Sequence, residues 1–285
     1  MTPFPLLFAL ASFAAAAPVM KVHGHRGARG LRPENTLSAF AEALRVGADV
    51  LELDLGVTKD GVVVVSHNRE LDPAICLGPD GKPAAAAPIH SLTLEQLKAY
   101  DCGTLKNPRF PRQVPQPGER IPRLSEVFAL VKASSYPAAG RVEFNIETKL
   151  VPGEPDVTPG PEEFARRLVA EVKAADLVPR VIVQSFDRRT LEAVRRLEPR
   201  LRLSMLISDN LPELTGQKVD IISPDALWIT KDEVDALHRA GKQVAPWTVN
   251  DEAGWARMVE FGVDAVITDY PEDLIAYLKK RGLRG

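Results

Sequence analysis

The 285-residue sequence has few aromatic residues, little net charge and only two cysteines. Aromatic residues make up 6% of the chain, which argues against a sugar-binding protein. The formal net charge is -2, whereas a nucleic-acid-binding protein usually carries a basic excess. Beyond an apolar run at the N-terminus, no segment is long and apolar enough to span a bilayer. The composition, 45% hydrophobic and 26% charged, is that of an ordinary globular protein, and the length fits one large domain or two small ones.

The N-terminal residues, MTPFPLLFALASFAAAAPVMK, are typical of a secretory signal peptide. The apolar run from Phe4 to Ala17 has the length of a signal h-region and is short for a transmembrane span. An N-terminal membrane anchor and a disordered start are the alternatives, and the lack of Lys or Arg before the apolar run counts against a signal peptide. We expect residues 1–17 to be removed, with cleavage near Ala16 or Ala17, and the mature protein to be periplasmic or secreted.

The two cysteines, Cys76 and Cys102, lie in one region that is rich in proline and glycine. An exported protein tolerates a disulfide bond, because its compartment is oxidising. Two buried free thiols are the alternative, and a sequence does not supply the geometry that a disulfide requires. Both states stay open at this stage.

Short apolar runs rich in β-branched residues alternate with segments whose apolar residues recur every three or four positions. Strands are predicted at 20–23, 50–54, 62–66, 142–147, 181–184, 201–206, 221–222, 244–248 and 265–268. Helices are predicted at 35–45, 124–131, 161–174, 187–197, 231–239, 251–261 and 271–280. About eight such units favour a TIM (β/α)8 barrel over residues 18–285. An open doubly wound sheet is the alternative, but no glycine-rich dinucleotide fingerprint supports it.

The alternation breaks at residues 69–120, which are rich in proline, glycine and polar residues and include one short predicted helix at 94–100. So long a connection usually has a purpose, often as a cap over an active site. We predict a small inserted cap subdomain here, with a decorative insertion on the barrel rim as the alternative. A second loose stretch, 151–159, follows a strand and should lie on the functional face of the barrel.

The segment VLELDLGV at 50–57 carries two acids, Glu52 and Asp54, in an otherwise apolar strand. Because side chains alternate along a strand, the leucines should face the helices and both acids the barrel interior. Two uncompensated acids there would lose hydration and repel each other. A cation such as Mg²⁺ or Ca²⁺ would remove that cost, since it prefers carboxylate ligands. Pairing with inward-facing Arg or Lys is the alternative.

The segment RVEFNIETK at 141–149 repeats this pattern, with Glu143, Asn145, Glu147 and Lys149 on one face. Glu147 falls near the C-terminal end of its strand, where barrel chemistry occurs, and could complete a three-carboxylate metal site. Lys149 could meet an anionic substrate. An internal ion pair with one of these acids is the alternative for Lys149.

Two histidines end apolar runs, His25 in HGHRG and His67 in VVVVSHN. A pair of histidines beside carboxylates can supply a general base and a general acid that titrate near neutrality. His23 lies deeper in the first strand and is interpreted as structural. His90 and His238 receive no role.

The motifs HRG, PENT, ELD, SHN and NIETK occur in this order, followed by QSF, WTVN and TDYP. From about His23 to Pro271 this series resembles the glycerophosphodiester phosphodiesterase family. The resemblance implies a TIM barrel and metal-dependent hydrolysis of glycerophosphodiesters to an alcohol and glycerol 3-phosphate, with one divalent cation, Mg²⁺ or Ca²⁺, as cofactor. It implies a small-molecule substrate and no nucleic-acid partner, and it leaves the oligomeric state open.

Carried over to this sequence, the resemblance implies that His25 and His67 are catalytic and that Glu52, Asp54 and Glu147 bind the metal. One histidine would take a proton from the glycerol 2-hydroxyl and the other would protonate the leaving alcohol. Attack by the 2-hydroxyl would give a cyclic phosphate, which water then opens with the two roles exchanged. Intramolecular attack has an entropic advantage over attack by water.

Five further residues enter through the same motifs. Arg26 and Lys149 match positions expected to hold the phosphate. Glu34 of PENT resembles an active-site acid of open role, with a capping role beside the following helix as the alternative. Trp247 could pack against glycerol or a choline head group, or be a core residue of the barrel mouth. Asn68 stands where many relatives have an acid.

Two other functions remain open from the sequence. A lysophospholipase-D-like activity would use the same centre but would need an apolar groove in the insertion, where PAAAAPI offers only small side chains. A non-catalytic phosphodiester-binding protein would be expected to lack a histidine or an acid, and none is missing. The sequence therefore favours small, deacylated substrates such as glycerophosphocholine or glycerophosphoethanolamine.

Overall fold

The computed structural model describes residues 19–209 and 213–285, so the predicted signal peptide lies outside the described residues. Its strands are β1 (Lys21–Gly24), β2 (Val50–Val57), β3 (Val63–Val65), β4 (Glu143–Thr148), β5 (Val181–Ser185), β6 (Arg202–Ile207), β7 (Ile221–Pro224), β8 (Gln243–Val244) and β9 (Ala265–Thr268). Its α-helices are α1 (Leu37–Val46), α2 (Leu94–Leu97), α3 (Leu124–Ala133), α4 (Pro161–Ala174), α5 (Arg188–Leu197), α6 (Lys231–Arg239), α7 (Glu252–Phe261) and α8 (Pro271–Lys280).

Eight of these strands form a nearly closed parallel barrel, in the order β8-β7-β6-β5-β4-β2-β1-β9. Backbone hydrogen bonds bridge the gap between β8 and β9. The amide of Asp264 donates to the carbonyl of Val244 and that of Ile267 to Pro246, both at 3.0 Å. The predicted TIM barrel is confirmed.

Two of the predicted strands differ from the barrel strands of the structure. The run at 62–66 forms β3, which pairs antiparallel with β2 and stands outside the parallel ring. The predicted strand at 244–248 shortens to β8, because Pro246 has no N–H to donate to the ladder. Pairing with β7 nevertheless continues, since the amide of Trp247 donates to the carbonyl of Pro224 at 3.0 Å.

Alternation along the strands separates the outer core from the barrel interior. Leu51, Leu53 and Leu55 of β2 are fully buried in the main core, which also contains Phe40 and Leu44 of α1. Near the N-terminal ends of the strands, a small apolar cluster fills the interior: Ile182, Ile221, Ala245 and Ala265. At the C-terminal ends the inward side chains are mostly polar, so the candidate functional residues lie together at this end of the barrel.

The chain between β3 and α3 packs with Val64 of β3 into a second, small hydrophobic cluster, whose other members are Leu71, Cys76, Ala84, Ile89, Leu97, Cys102 and Ile121. Cys76 and Cys102 form a disulfide bond inside it, which decides between the two states left open by the sequence. The short helix α2 begins after a capping box of Thr93 and Gln96 and ends at Leu97, earlier than predicted. No helix among the described residues has the length and apolar character needed to cross a membrane.

Candidate active site

Three carboxylates meet at the mouth of the barrel. Glu52 and Asp54 project inward from β2, and Glu147 projects from β4, where it stands in register with Asp54. All three are buried, and each offers an oxygen that lies within 4.8 Å of the others. The period of two along two adjacent parallel strands therefore produces the predicted cluster.

Neighbouring polar groups fix the orientation of these carboxylates. Gln184 donates to Glu52 Oε1 at 2.6 Å, and the backbone amide of Arg26 donates to Glu52 Oε2 at 2.9 Å. Asn35 donates to Asp54 Oδ2 at 2.9 Å. The sequence analysis missed these roles for Gln184 and Asn35, although both residues lie inside its motifs QSF and PENT.

Two cations reach the cluster. Lys149 Nζ lies 2.7 Å from Glu147 Oε1 and 3.2 Å from Asp54 Oδ1, so its alternative interpretation as an internal ion pair is present in the structure. Arg26 Nε lies 3.2 Å from Asp54 Oδ2, and its Nη1 lies 2.6 Å from Glu34 Oε1. Three central carboxylates thus face two cations, and acid is in excess.

The pKa values of the three carboxylates shift in opposite directions. Burial, followed by repulsion from Asp54 and Glu147, raises the pKa of Glu52 well above its usual range. Burial also raises the pKa of Glu147 to about 7, against the attraction of Lys149. Burial alone would raise the pKa of Asp54 too, but Lys149 and Arg26 hold it well below its usual range. The cluster therefore accommodates further positive charge.

The donor set fits a divalent metal ion. All three donors are hard carboxylate oxygens, the type that Mg²⁺ and Ca²⁺ prefer. Asp54 Oδ1 is buried and accepts no well-aligned hydrogen bond among the described residues, although Lys149 Nζ lies 3.2 Å away, so it can still accept from an ion. Glu52, Asp54 and Glu147 could accordingly hold one divalent cation.

His25 stands beside this cluster and is held by a carboxylate that the sequence analysis did not assign. Its Nδ1 donates to Asp269 Oδ1 at 2.7 Å, and its Nε2 points toward Glu52, 3.9 Å from Oε2. Asp269 also accepts from Arg29 and, at 2.7 Å, from Asn250. Burial and then Arg29 lower the pKa of His25 to about 4, so the ring is neutral at pH 7 with Nε2 as its free acceptor.

His67 approaches the cluster from the chain just after β3. Its Nδ1 donates to Asn68 Oδ1 at 2.7 Å, and Asn68 Nδ2 donates to Asp72 Oδ2 at 2.7 Å. Burial is the main cause that lowers the pKa of His67 to about 4. Both predicted catalytic histidines therefore hold their Nδ1 in a hydrogen bond, which leaves Nε2 for chemistry.

A cleft of about 750 Å³ connects these groups. Most of the predicted site residues line it: His25, Arg26, Glu52, His67, Glu147, Lys149 and Trp247. Asp54 lies buried behind Arg26 and Lys149, and Glu34 holds Arg26 from an adjoining pocket. The cap of α1 is Thr36, whose side chain accepts from the amide of Ala39, so Glu34 does not cap that helix.

The opposite wall of the cleft is apolar and comes from β5 to β8. Phe186, Leu206, Leu227 and Trp247 line it. The rings of Phe186 and Trp247 pack edge to face with centroids 5.7 Å apart, and Trp247 Nε1 donates to the carbonyl of Ser223 at 2.8 Å. Trp247 therefore lines the cleft, while its polar edge is bound to the backbone.

His23 lies deeper in the barrel, away from the three carboxylates. It is 2% exposed, and its Nδ1 lies 3.4 Å from Asn145 Nδ2. His90 and His238 bind elsewhere, His90 to the carbonyl of Val57 and His238 to Asp264.

The chain is similar to known proteins in both sequence and fold. Residues 25–273 match the model of the glycerophosphoryl diester phosphodiesterase family. A glycerophosphodiester phosphodiesterase from Caldanaerobacter subterraneus is 32% identical, over 92% of this chain and 98% of the relative. A solved structure from Silicibacter pomeroyi, named as a glycerophosphoryl diester phosphodiesterase, superposes with a TM-score of 0.85 at 32% identity, covering 94% of this chain and 96% of that one.

A more distant structure supports the fold. An Oleispira antarctica phosphodiesterase, solved in complex with the product sn-glycerol-3-phosphate, superposes with a TM-score of 0.75 at 24% identity. That likeness covers 92% of this chain and 97% of the other. The chain therefore belongs to the glycerophosphoryl diester phosphodiesterase family, and it is a phosphodiester hydrolase built on a TIM barrel.

Proposed function

We propose that this chain hydrolyses glycerophosphodiesters, such as glycerophosphocholine or glycerophosphoethanolamine, to an alcohol and glycerol 3-phosphate, and that it requires one divalent cation. The observation that carries the proposal is the meeting of two histidines and three buried carboxylates in one cleft. The glycerol 3-phosphate in the Oleispira antarctica complex has the chemistry of the expected product.

Glu52, Asp54 and Glu147 are the residues that would hold the cation. When bound, such an ion supplies Lewis-acid stabilisation of the charge that develops on the phosphate oxygens. Arg26 and Lys149 supply fixed positive charge at the edge of the same cleft and would bind the phosphodiester. Glu34 keeps the Arg26 guanidinium in that position.

The two histidines would move the protons. One imidazole Nε2 takes the proton of the glycerol 2-hydroxyl, whose oxygen forms a bond to phosphorus as the bond to the alcohol oxygen breaks. The other histidine enters this step as the imidazolium, with a proton on Nε2 as well as on Nδ1, and gives the Nε2 proton to that leaving oxygen. Water then opens the cyclic phosphate, with each histidine in the reverse role. Asp269 and Asn68 hold the two Nδ1 protons, so that each Nε2 is available.

A second candidate substrate is a lysophospholipid, and the apolar wall of the cleft favours it. Leu227, which is 79% exposed, lines the cleft, and the adjacent Trp228 is 59% exposed. Phe186 adds an aromatic face on the same side. An acyl chain attached to the glycerol could extend over these residues, so a groove within the insertion is not required.

The decisive experiment is a substrate panel with controlled metal content. Glycerophosphocholine, glycerophosphoethanolamine and lysophosphatidylcholine are each assayed after EDTA treatment and again after addition of Mg²⁺ or Ca²⁺. We expect metal-restored release of glycerol 3-phosphate from the two deacylated diesters. Faster cleavage of lysophosphatidylcholine would favour the second candidate. Full activity in EDTA would overturn the metal requirement, and binding without turnover would indicate a non-catalytic protein.

We also propose that the protein is exported, with residues 1–17 removed as a signal peptide. The Cys76–Cys102 disulfide supports this proposal, because such bonds persist in oxidising compartments. N-terminal sequencing of protein from its native host should show a start near Ala17 or Pro18. An intact Met1 on cytoplasmic protein would contradict export.

A further inference from the structure

His67 is held by a chain of side-chain hydrogen bonds that ends in the insertion. Its Nδ1 meets Asn68 Oδ1 at 2.7 Å, and Asn68 Nδ2 meets Asp72 Oδ2 at the same distance. His25, by contrast, meets the carboxylate of Asp269 directly. The position of Asn68 is the one where the family resemblance leads to an acid, so this chain holds its second histidine through an amide.

An amide has one accepting end and one donating end, whereas a carboxylate accepts only. Asp72 can therefore accept only from the NH₂ end of Asn68, which turns the carbonyl end of Asn68 toward His67. A carbonyl cannot donate, so His67 Nδ1 must carry the proton. The reverse amide orientation would set a carbonyl oxygen against a carboxylate. Asp72 thus selects the tautomer of His67 through one intervening side chain.

Asp72 is itself fixed by the backbone of the insertion. Its Oδ1 accepts from the amide of Ala74 at 2.8 Å, and its carbonyl accepts from the amide of Cys76 at 2.9 Å. Cys76 is tied to Cys102 by the disulfide. The insertion therefore supplies a rigid anchor for the chain of hydrogen bonds, besides bordering the cleft with Phe110.

We propose that Asn68 and Asp72 are positioning residues that hold His67 as the Nδ1-protonated tautomer, with Nε2 directed at the substrate. This inference rests on the proposed function, in that it takes His67 as catalytic. The insertion then contributes to the active site, because Asp72, which sets the tautomer of His67, belongs to the insertion.

Mutation can exchange donor and acceptor in the hydrogen bond between residues 68 and 72. In Asp72→Asn, an amide replaces the carboxylate and the orientation of Asn68 is no longer imposed. In the double variant Asn68→Asp, Asp72→Asn, an aspartate at 68 accepts from both His67 and the new amide, and the chain is restored. We expect kcat on glycerophosphocholine to fall about tenfold in the single variant, with KM little changed, and to recover most of that loss in the double variant.

Nitrogen NMR of ¹⁵N-histidine-labelled protein reports the tautomer directly, with the His67 signals assigned by their absence from His67→Ala. Wild type and the double variant should show the Nδ1-protonated ring, and Asp72→Asn should show a mixture of tautomers. Asp80→Asn is a matched control, since Asp80 Oδ1 likewise accepts from the amide two residues on, at 3.1 Å, but without a histidine behind it. It should change neither spectrum nor rate.

An unchanged tautomer and full turnover in Asp72→Asn would overturn the inference. So would a double variant that is no better than the single one. A poorly folded single variant leaves the double variant as the test, because only restored polarity predicts recovery. Full turnover in His67→Ala would instead refute the proposed catalytic role of His67, which separates failure of the proposed function from failure of this inference.

Discussion

The two ends of the barrel interior each carry a charged cluster, and both clusters use a glutamate of β4. At the N-terminal end, Glu143 lies 2.9 Å from Lys21 Nζ and 3.1 Å from Arg202 Nη2. At the C-terminal end, Glu147 shares its surroundings with two more acids and two cations. The first cluster has more cation than acid, and the second has more acid than cation.

The difference shows in the pKa of each glutamate. Burial acts to raise the pKa of Glu143, but Lys21 and Arg202 outweigh it and the pKa is lowered. For Glu147 burial prevails, and the pKa rises to about 7. A compensated cluster is an ordinary structural ion-pair group, whereas a buried excess of acid is stable only with an added proton or cation. The second kind therefore indicates a functional site.

The largest effect should come from removing a carboxylate at the mouth. Glu52→Gln and Asp54→Asn keep side-chain volume but remove ligand charge, so each should lower turnover about 10³-fold, the scale of metal-assisted charge stabilisation. Titration calorimetry with Mg²⁺ and Ca²⁺ should show weakened binding. The melting temperature should no longer rise with added metal. Full turnover with unchanged metal affinity in both variants would refute the three-carboxylate site.

The histidines at the same end should follow in size. His25→Ala and His67→Ala should each lower turnover about 10²- to 10⁴-fold, and the double variant little further, because the pair acts as one unit. A nitrophenyl ester, whose leaving group needs no proton, should rescue the variant that lacks the general acid. Additive losses in the double variant would contradict a base and acid that act as one unit. Rapid cleavage of a 2-deoxy analogue by wild type would contradict the cyclic route.

Substitution of His23, which lies nearer the N-terminal end of the barrel, should change stability but not turnover. Burial and then Lys21 lower its pKa to about 3, from 6.5 in the unfolded chain. Below pH 6.5 the unfolded state therefore binds a proton that the folded state does not. Protonation of the unfolded state lowers the free energy of unfolding, which should therefore fall by about 1.4 kcal/mol per pH unit from pH 6.5 toward pH 3. Above pH 6.5 this effect is absent.

His23→Asn should remove this contribution to the slope. Urea unfolding of both proteins at pH 7, 5.5 and 4.5 measures the difference, and parallel slopes would show that His23 does not titrate in this way. Turnover should stay near that of wild type, in contrast to His25→Ala, which changes the residue just past the end of β1.

The smallest effect should come from Glu143→Gln, the matched control for the mouth. It breaks two partly exposed ion pairs, so we expect a loss of about 1 kcal/mol in the free energy of unfolding. Metal affinity and turnover should not change. A clear loss of metal binding would show that the two ends of the barrel are coupled and would weaken the comparison.

Several parts of the site could be predicted because they depend on local pattern. The period of two in VLELDLGV places Leu51 and Leu53 against the helices and Glu52 and Asp54 inside, as the structure has them. Strand ends mark the functional face of a barrel, which brings in Glu147. The extent of β8 was predicted less well, because Pro246 interrupts a run that is otherwise apolar.

Other parts depend on residues far apart in the chain. Asp269 holds His25 across 244 positions, and Gln184 holds Glu52 across 132. Each is a polar residue at an inward-facing strand end, and that signal could have marked both as candidates. Their partners could not be read from the sequence, since pairing depends on which strands lie side by side or face each other across the barrel.

By itself the sequence determined the barrel, the inward face of each strand and the polar character of that face, because these follow from periods of two and of three to four residues. Glu143 and Glu147 are equivalent by that pattern. Only the tertiary structure decided that Lys21 and Arg202 meet the first, while Asp54 stands in register beside the second. The physical reason is that strand register sets which charges share a level of the barrel, and neighbouring charges decide whether a buried carboxylate is neutralised or left for a cation.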